Sequence, residues 1–375
     1  MERYSLIIRN VLHYGAKANH NIVNKQTISL ILFACMLGLY PAFAQEKEKE
    51  QKVEKVTALF RDQTILPIKL SYSNKEMKRN TNDSTYLLSH LYFQDEEKWD
   101  SIPVKIRARG NYRRAHCYFP PIKVKIKKDD AKGTIFKGNK ELKVVLPCVQ
   151  ASNTQDNIVK EYMAYKIYEE ISPYSFKTRM ADIEFIELKG NKTKVHNIKG
   201  FFIEDIDRVA ARQNARKMKR VVHPLEQDDE ASAQNDFFQY MIGNTDYSTA
   251  YQHNQKLLFT TENTTVPLPY DFDMAGLVDA SYAVVSQVQG EVLEIEDVTQ
   301  RLYRGFERDE AVFQKVRKDY LEKKARIFEV VDGLESQFEN AKEFQITRDF
   351  LEDFFKVLAD DTKFNNEIIR KARSK

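Results

Sequence analysis

The sequence predicts an α+β chain of two lobes, the first rich in strands and the second in helices. Three observations predict it. Residues 65 to 207 carry seven runs in which apolar and polar side chains alternate, with one run of helical period set among them. Beyond Asp207 the pattern turns helical, roughly at 208–220, at 229–243 and several times between 305 and 373. Between those helices lies one stretch of concentrated polar chemistry, Phe237 to Gly276, where Asp246, Asn254, Asp271 and Asp273 stand among apolar neighbours.

Composition bounds the problem. With 375 residues and 42% hydrophobic content the chain can bury one large or two medium cores. A net charge of +4 is small for this length, so nothing in the balance points to nucleic acid or a membrane surface. Three cysteines exclude a disulfide scaffold and a zinc ribbon. The seven histidines do not fall at the spacing a metal-dependent hydrolase would need.

The first 44 residues read as an export signal. Lys25 precedes the apolar run Ile28 to Tyr40, and Ala42-Phe43-Ala44 suits a small-residue cleavage site before Gln45. Leu32-Phe33-Ala34-Cys35 resembles a lipoprotein box, but the apolar run continues past Cys35, which disfavours it. The run is also shorter than the ~20 residues that cross a bilayer. The expectation is a periplasmic, secreted or surface protein without a transmembrane span. Export would leave Cys117 and Cys148 in an oxidising compartment, free to pair or to sit separately as small buried residues.

Residues 45–56 form a charged linker. Then come the strands: ILPIKLSYS from Ile65, TYLLSHLYF, IPVKIRARG, YFPPIKVKIKK and ELKVVLPC. Residues 157–171 switch to helical period, with Ile158, Tyr162, Tyr165 and Ile167 as core positions. MADIEFIEL and IKGFFIEDI follow, joined at Lys189-Gly190-Asn191-Lys192 by a hairpin-type turn. Three strands and then a helix is the small-lobe order of a protein kinase. The expected architecture is therefore a bilobal, protein-kinase-like fold: a strand-rich nucleotide-binding lobe at 57–207 and a helical catalytic lobe at 208–375, with a nucleotide cleft between them. Gly110, after Arg109, would let backbone approach phosphates. By strand order Lys143 is the nucleotide lysine, because it precedes the helix carrying Glu161, and a Lys143–Glu161 pair would hold the phosphates.

An Asp and a later Asn in one loop, then an Asp closing an apolar strand, is the residue set of magnesium-dependent phosphoryl transfer. Asp and Asn are also ordinary loop residues. The apolar positions Val266, Leu268, Tyr270 and Phe272 weigh for a site, since carboxylates at buried strand ends need a cation. His253 reads as a loop-fixing hydrogen-bonder. Arg208, Arg212, Arg216 and Lys219 would share one helical face, solvated or docked to an acidic substrate.

Four segments resemble the spore-coat CotH kinase family, an atypical protein-kinase-like group: RARGNYRR, FPPIKVKIKK, KGFFIEDID, and NTDYSTAYQHN with PLPYDFDMAG. The likeness covers about residues 65 to 280. It implies Asp246 as the catalytic Asp, Asn254 and Asp271 as metal ligands with Asp273 as second candidate, and Lys123 nearest the family's strand lysine. The chain departs from the family before the helix, reading Gln155-Asp156-Asn157 and then Lys160. The resemblance implies transfer of the terminal phosphate of ATP to a protein hydroxyl with Mg2+ or Mn2+, by a monomer acting on an unidentified protein. The alternative is a kinase-shaped binding or surface-assembly protein without turnover.

Overall fold

The computed structural model describes residues 56–110, 112–150, 154–286, 290 and 292–374. The signal peptide and nearly all of the linker expected from the sequence lie outside these residues. Val53–Lys375 forms one compact unit.

All seven alternating runs form strands: β1 Leu66–Tyr72, β2 Leu87–Asp95, β3 Lys98–Ala108, β4 Ile122–Ile126, β5 Glu141–Val145, β6 Thr178–Lys189 and β7 Lys192–Ile203. Six of the pairings are antiparallel neighbours in the order β1-β2-β3-β4-β5-β7-β6. The seventh is parallel and joins the two ends, with Leu66 opposite Ala181 and Tyr72 opposite Glu187. The sheet is a closed barrel.

This overturns the bilobal, protein-kinase-like architecture expected above. Alternation says that one face of each strand is apolar, and an open sheet and a barrel satisfy that equally. What separates them is the long-range β1–β6 pairing, which leaves no local trace. Closure removes both sheet edges and packs Ile68, Phe93, Val124, Leu142 and Phe202 into one interior. Lysines of β4 and β5 alternate with those apolar residues and face outward.

A second core lies outside the barrel, around α1, Thr154–Ile171. This helix is buried on nearly every side. Tyr162 and Tyr165 both pack on Phe201 of β7, with ring centroids 5.6 Å apart in each case. Three long helices follow in the chain, α2 Asp229–Met241, α3 Glu310–Asp332 and α4 Ala341–Ala359, and two polar residues of α1 reach the start of α4. Asp156 accepts the backbone N–H groups of Glu339 and Asn340 just before α4, and Lys160 pairs with Glu343 on α4 at 2.8 Å. The residues where the chain departs from the CotH pattern are thus the ones that seat α4.

One expected helix is absent. The 208–220 segment forms only α5, Ile206–Arg212, followed by the two-residue strand β8, Arg216–Lys217. Asn214 stands at φ 49°, and Ala215 N–H reaches the Ala210 carbonyl while Asn214 N–H reaches that of Ala211. That is a Schellman ending with Asn in the left-handed place usually held by Gly. The supposed basic face therefore does not form: Arg212 is spent on buried Glu204 at 2.7 Å and Arg216 lies over Phe259.

β8 pairs with β9, Gln255–Phe259, which forms a hairpin with β10, Thr265–Pro269. Cys117 and Cys148 form a disulfide across 31 residues, Cα atoms 4.4 Å apart. It ties the short helix α6, Tyr112–His116, to the end of β5.

Candidate functional site

The β9–β10 hairpin does the first part of the assembly. Gln255 stands opposite Pro269, and the Tyr270 N–H continues the ladder to the Asn254 carbonyl at 3.0 Å. Asn254 and Asp271, seventeen positions apart in sequence order, thereby become neighbours at one hairpin end. Both take positive φ, 49° and 67°, a conformation that Asn and Asp tolerate better than most residues.

Asp246 is brought to the same end by the loop between α2 and β9. Ser248 and His253 exchange two backbone hydrogen bonds there. The Asn254 side-chain amide donates to the Asp246 carbonyl at 2.7 Å and to its Oδ2 at 2.8 Å. Asp246 Oδ1 takes the Ser286 hydroxyl at 3.0 Å and lies 3.2 Å from His253 Nε2. That hydrogen bond raises the His253 pKa above its ordinary value against the opposing pull of burial. His253 thus holds Asp246, the bland role the sequence favoured for it.

The third contribution comes from α1. Glu161 and Tyr165 stand one turn apart on one face, and Tyr165 accepts the Asp271 backbone N–H at 2.9 Å. Carboxylate oxygens of Glu161, Asp271 and Asp273 all lie within 4.8 Å of one another. Asp246 stands outside this trio and is joined to it through Asn254.

Arg113 of α6 is the part that sequence reading passed over. Its guanidinium lies 3.3 Å from Glu161 Oε2 and 3.6 Å from Asp273 Oδ2, and it donates to the Leu146 carbonyl at 2.7 Å. The expected Lys143–Glu161 pair is not formed, because Arg113 occupies that role. The signal was present in the quoted RARGNYRR run, but nothing local tells which of its arginines turns inward.

The trio is electrostatically loaded. Burial pushes the Glu161 carboxyl up to about 8, against the pull of Arg113 and with the push of Asp273 and Asp271. Burial likewise raises Asp273 to about 6, opposed by Arg113 and by a hydrogen bond from Tyr282 at 3.1 Å. Glu161 Oε1 is buried and has no hydrogen-bond partner among the described residues. Three clustered carboxylates, one with an unpartnered buried oxygen, are the donor set of a hard divalent cation, so the residues fit Mg2+ or Mn2+.

Of the remaining basic residues, Lys143 lies beside the trio. Its ammonium rests 4.8 Å from the Tyr270 ring and 5.0 Å from that of Phe176, and it forms no ion pair among the described residues. Burial, helped by Arg109, lowers its pKa to about 7, with Asp271 pulling the other way. Lys123 sits opposite Lys143 on β4 but is held by Glu141. Arg109 is half-buried with an unpartnered Nε, and Gly110 follows at φ 78°.

The chain matches no protein-family model and no curated protein.

Proposed function

We propose that the protein is an exported, divalent-cation-dependent phosphotransferase that moves the terminal phosphate of ATP to a protein hydroxyl. The observation that carries the reading is the convergence of Glu161, Asp271 and Asp273 on one point with an orphaned Glu161 oxygen. The resemblance of the segments 244–254 and 267–276 to the CotH kinases supports it.

Each residue has a chemical task in this reading. Glu161, Asp271 and Asp273 would hold the cation, with Asn254 Oδ1 as a further oxygen donor at the hairpin end. A cation held by them would supply positive charge to the phosphate oxygens. Lys143 and Arg109 supply cationic charge to the phosphates. Asp246 accepts the proton of the acceptor hydroxyl while its oxygen bonds to the terminal phosphorus. The bond from that phosphorus to the bridging oxygen breaks, and ADP leaves with the electron pair. Asn254, Ser286 and His253 fix the Asp246 carboxylate, so that little reorientation is needed when the acceptor arrives.

A second reading, binding without turnover, is favoured by one observation: Arg113 already stands as a cation between Glu161 and Asp273. The two are separated by experiment. Purified protein should melt at higher temperature with ATP plus Mn2+ than with either alone, and label from [γ-32P]ATP should pass to protein and be lost in Asp246→Asn. A thermal shift without transfer supports the second reading. No shift and no transfer would refute both.

A further inference from the structure

We propose that a lysine-lined groove beside Lys143 binds the phosphate acceptor through an acidic polypeptide segment; the proposal rests on the phosphotransfer reading. The groove has a volume of 1110 Å³. Its floor is the outward face of β3 and β4, and its walls are the connection 127–140 and the start of α5.

Seven exposed lysines line it; Lys125 and Lys132 are paired with acids, which leaves five, Lys105, Lys127, Lys128, Lys137 and Lys140. None of them has an acidic partner among the described residues. The acids of the groove are mostly committed elsewhere. Glu141 is held by Lys123 and reached by Lys125, Asp207 pairs with Lys217, and Asp205 caps α5. A whole chain of net charge +4 thus gathers five lysines without acidic partners around one groove. Like charges gathered within about a Debye length, ~8–10 Å, repel, and a polyanion laid among them relieves that repulsion.

Register ties the groove to the site. Lys123 stands opposite Lys143, Lys125 opposite Glu141, and Lys105 opposite Lys125. With strands ~4.8 Å apart and ~3.3 Å per residue along each, Lys105 lies roughly 12 Å from Lys143 across one face. An extended peptide covers that distance in about four residues. The acidic residues would therefore lie about three to five positions from the accepting hydroxyl.

Two other occupants fit less well. No aromatic side chain lines the groove, so single-stranded nucleic acid would find no stacking platform. A nucleotide whose phosphates sit at Glu161, Asp271 and Asp273 would bring only its uncharged sugar and base toward the groove and would leave the five lysines as they are.

The test is binding by fluorescence anisotropy, without nucleotide, so that it does not depend on turnover. The probes are a labelled peptide with one Ser followed by four Glu, the same peptide with Gln for Glu, and a labelled oligothymidine of matched charge. The Glu peptide is expected to bind at least tenfold more tightly than the other two, with affinity falling as salt rises. Lys105→Glu combined with Lys127→Glu and Lys140→Glu should abolish that preference while the ATP-plus-Mn2+ thermal shift is retained. Equal binding of the Glu and Gln peptides, tighter binding of the oligonucleotide, or a triple variant that keeps the preference would each overturn the proposal. A preference for the Glu peptide in protein that transfers no phosphate would leave the groove standing and count against the catalytic reading alone.

Discussion

Replacing Arg113 by Met tests the electrostatics of the site most directly. Arg113, Glu161 and Asp273 are all nearly inaccessible, with side chains 7%, 2% and 7% exposed. Breaking a buried pair by deleting one partner costs about 3–5 kcal/mol when the other stays charged. Here the acids can escape by taking up protons, which caps the cost. Glu161, at about 8, is already largely protonated at pH 7. Asp273, raised by burial to about 6, must gain a proton, which costs on the order of 1 kcal/mol at pH 7. Losing the donor to the Leu146 carbonyl adds about 1–2 kcal/mol. The sum is about 2–4 kcal/mol at pH 7, and at ~1.5 °C per kcal/mol for a unit of this size it lowers Tm by about 3–6 °C.

The pH dependence has a definite sign. Both carboxyls hold protons in the folded state at pH values where the unfolded chain has released them, so stability falls as pH rises between about 4 and 8. Removing Arg113 raises their folded pKa values further and steepens that fall. A divalent cation should replace the missing charge, giving back ~2.7 kcal/mol at a hundredfold excess over Kd. Thermal melts from pH 5.5 to 8, with and without Mn2+, read all of this. A variant that melts like wild type at every pH, or one that Mn2+ does not rescue, would refute the assignment of Arg113 as the trio's counter-charge.

Other outcomes follow from the same geometry. Glu161→Gln removes the carboxyl titrating at about 8, so the decline of stability between pH 6 and 8 should flatten by close to one proton; parallel wild-type and variant melts would contradict the burial argument. Lys143→Met should leave the nucleotide-free Tm unchanged or raised, since no carboxylate pairs with the half-buried amine, while the ATP-dependent shift collapses; a large loss of Tm without nucleotide would mean a structural lysine instead. The paired replacement Cys117→Ser with Cys148→Ser opens a link spanning 31 residues and should cost about 3–4 kcal/mol in denaturant titrations. Unaltered stability would show the link to be dispensable.

Local chemistry made much of this protein legible. Alternation located all seven barrel strands, the Gly190-Asn191 turn marked the β6–β7 hairpin, and Asp246, Asn254, Asp271 and Asp273 stood out because carboxylates seldom close a buried strand. The misreadings have physical causes. The Schellman ending at Asn214 replaced an expected helical turn because its left-handed residue is Asn, a weaker marker than Gly. Lys143 and Arg113 both lie near Glu161 in plausible ways, and only side-chain packing chooses between them.

The amino-acid order by itself determined the seven barrel strands and the helix at 157–171, and which acidic residues are out of keeping with their apolar surroundings, because periodicity and desolvation cost are properties of neighbours along the chain. Tertiary structure alone decided that the sheet closes between β1 and β6, that Cys117 meets Cys148, and that Arg113 answers Glu161 and Asp273. Those are contacts between residues dozens of positions apart. Their free energy depends on loop closure and mutual burial, which no window of sequence contains.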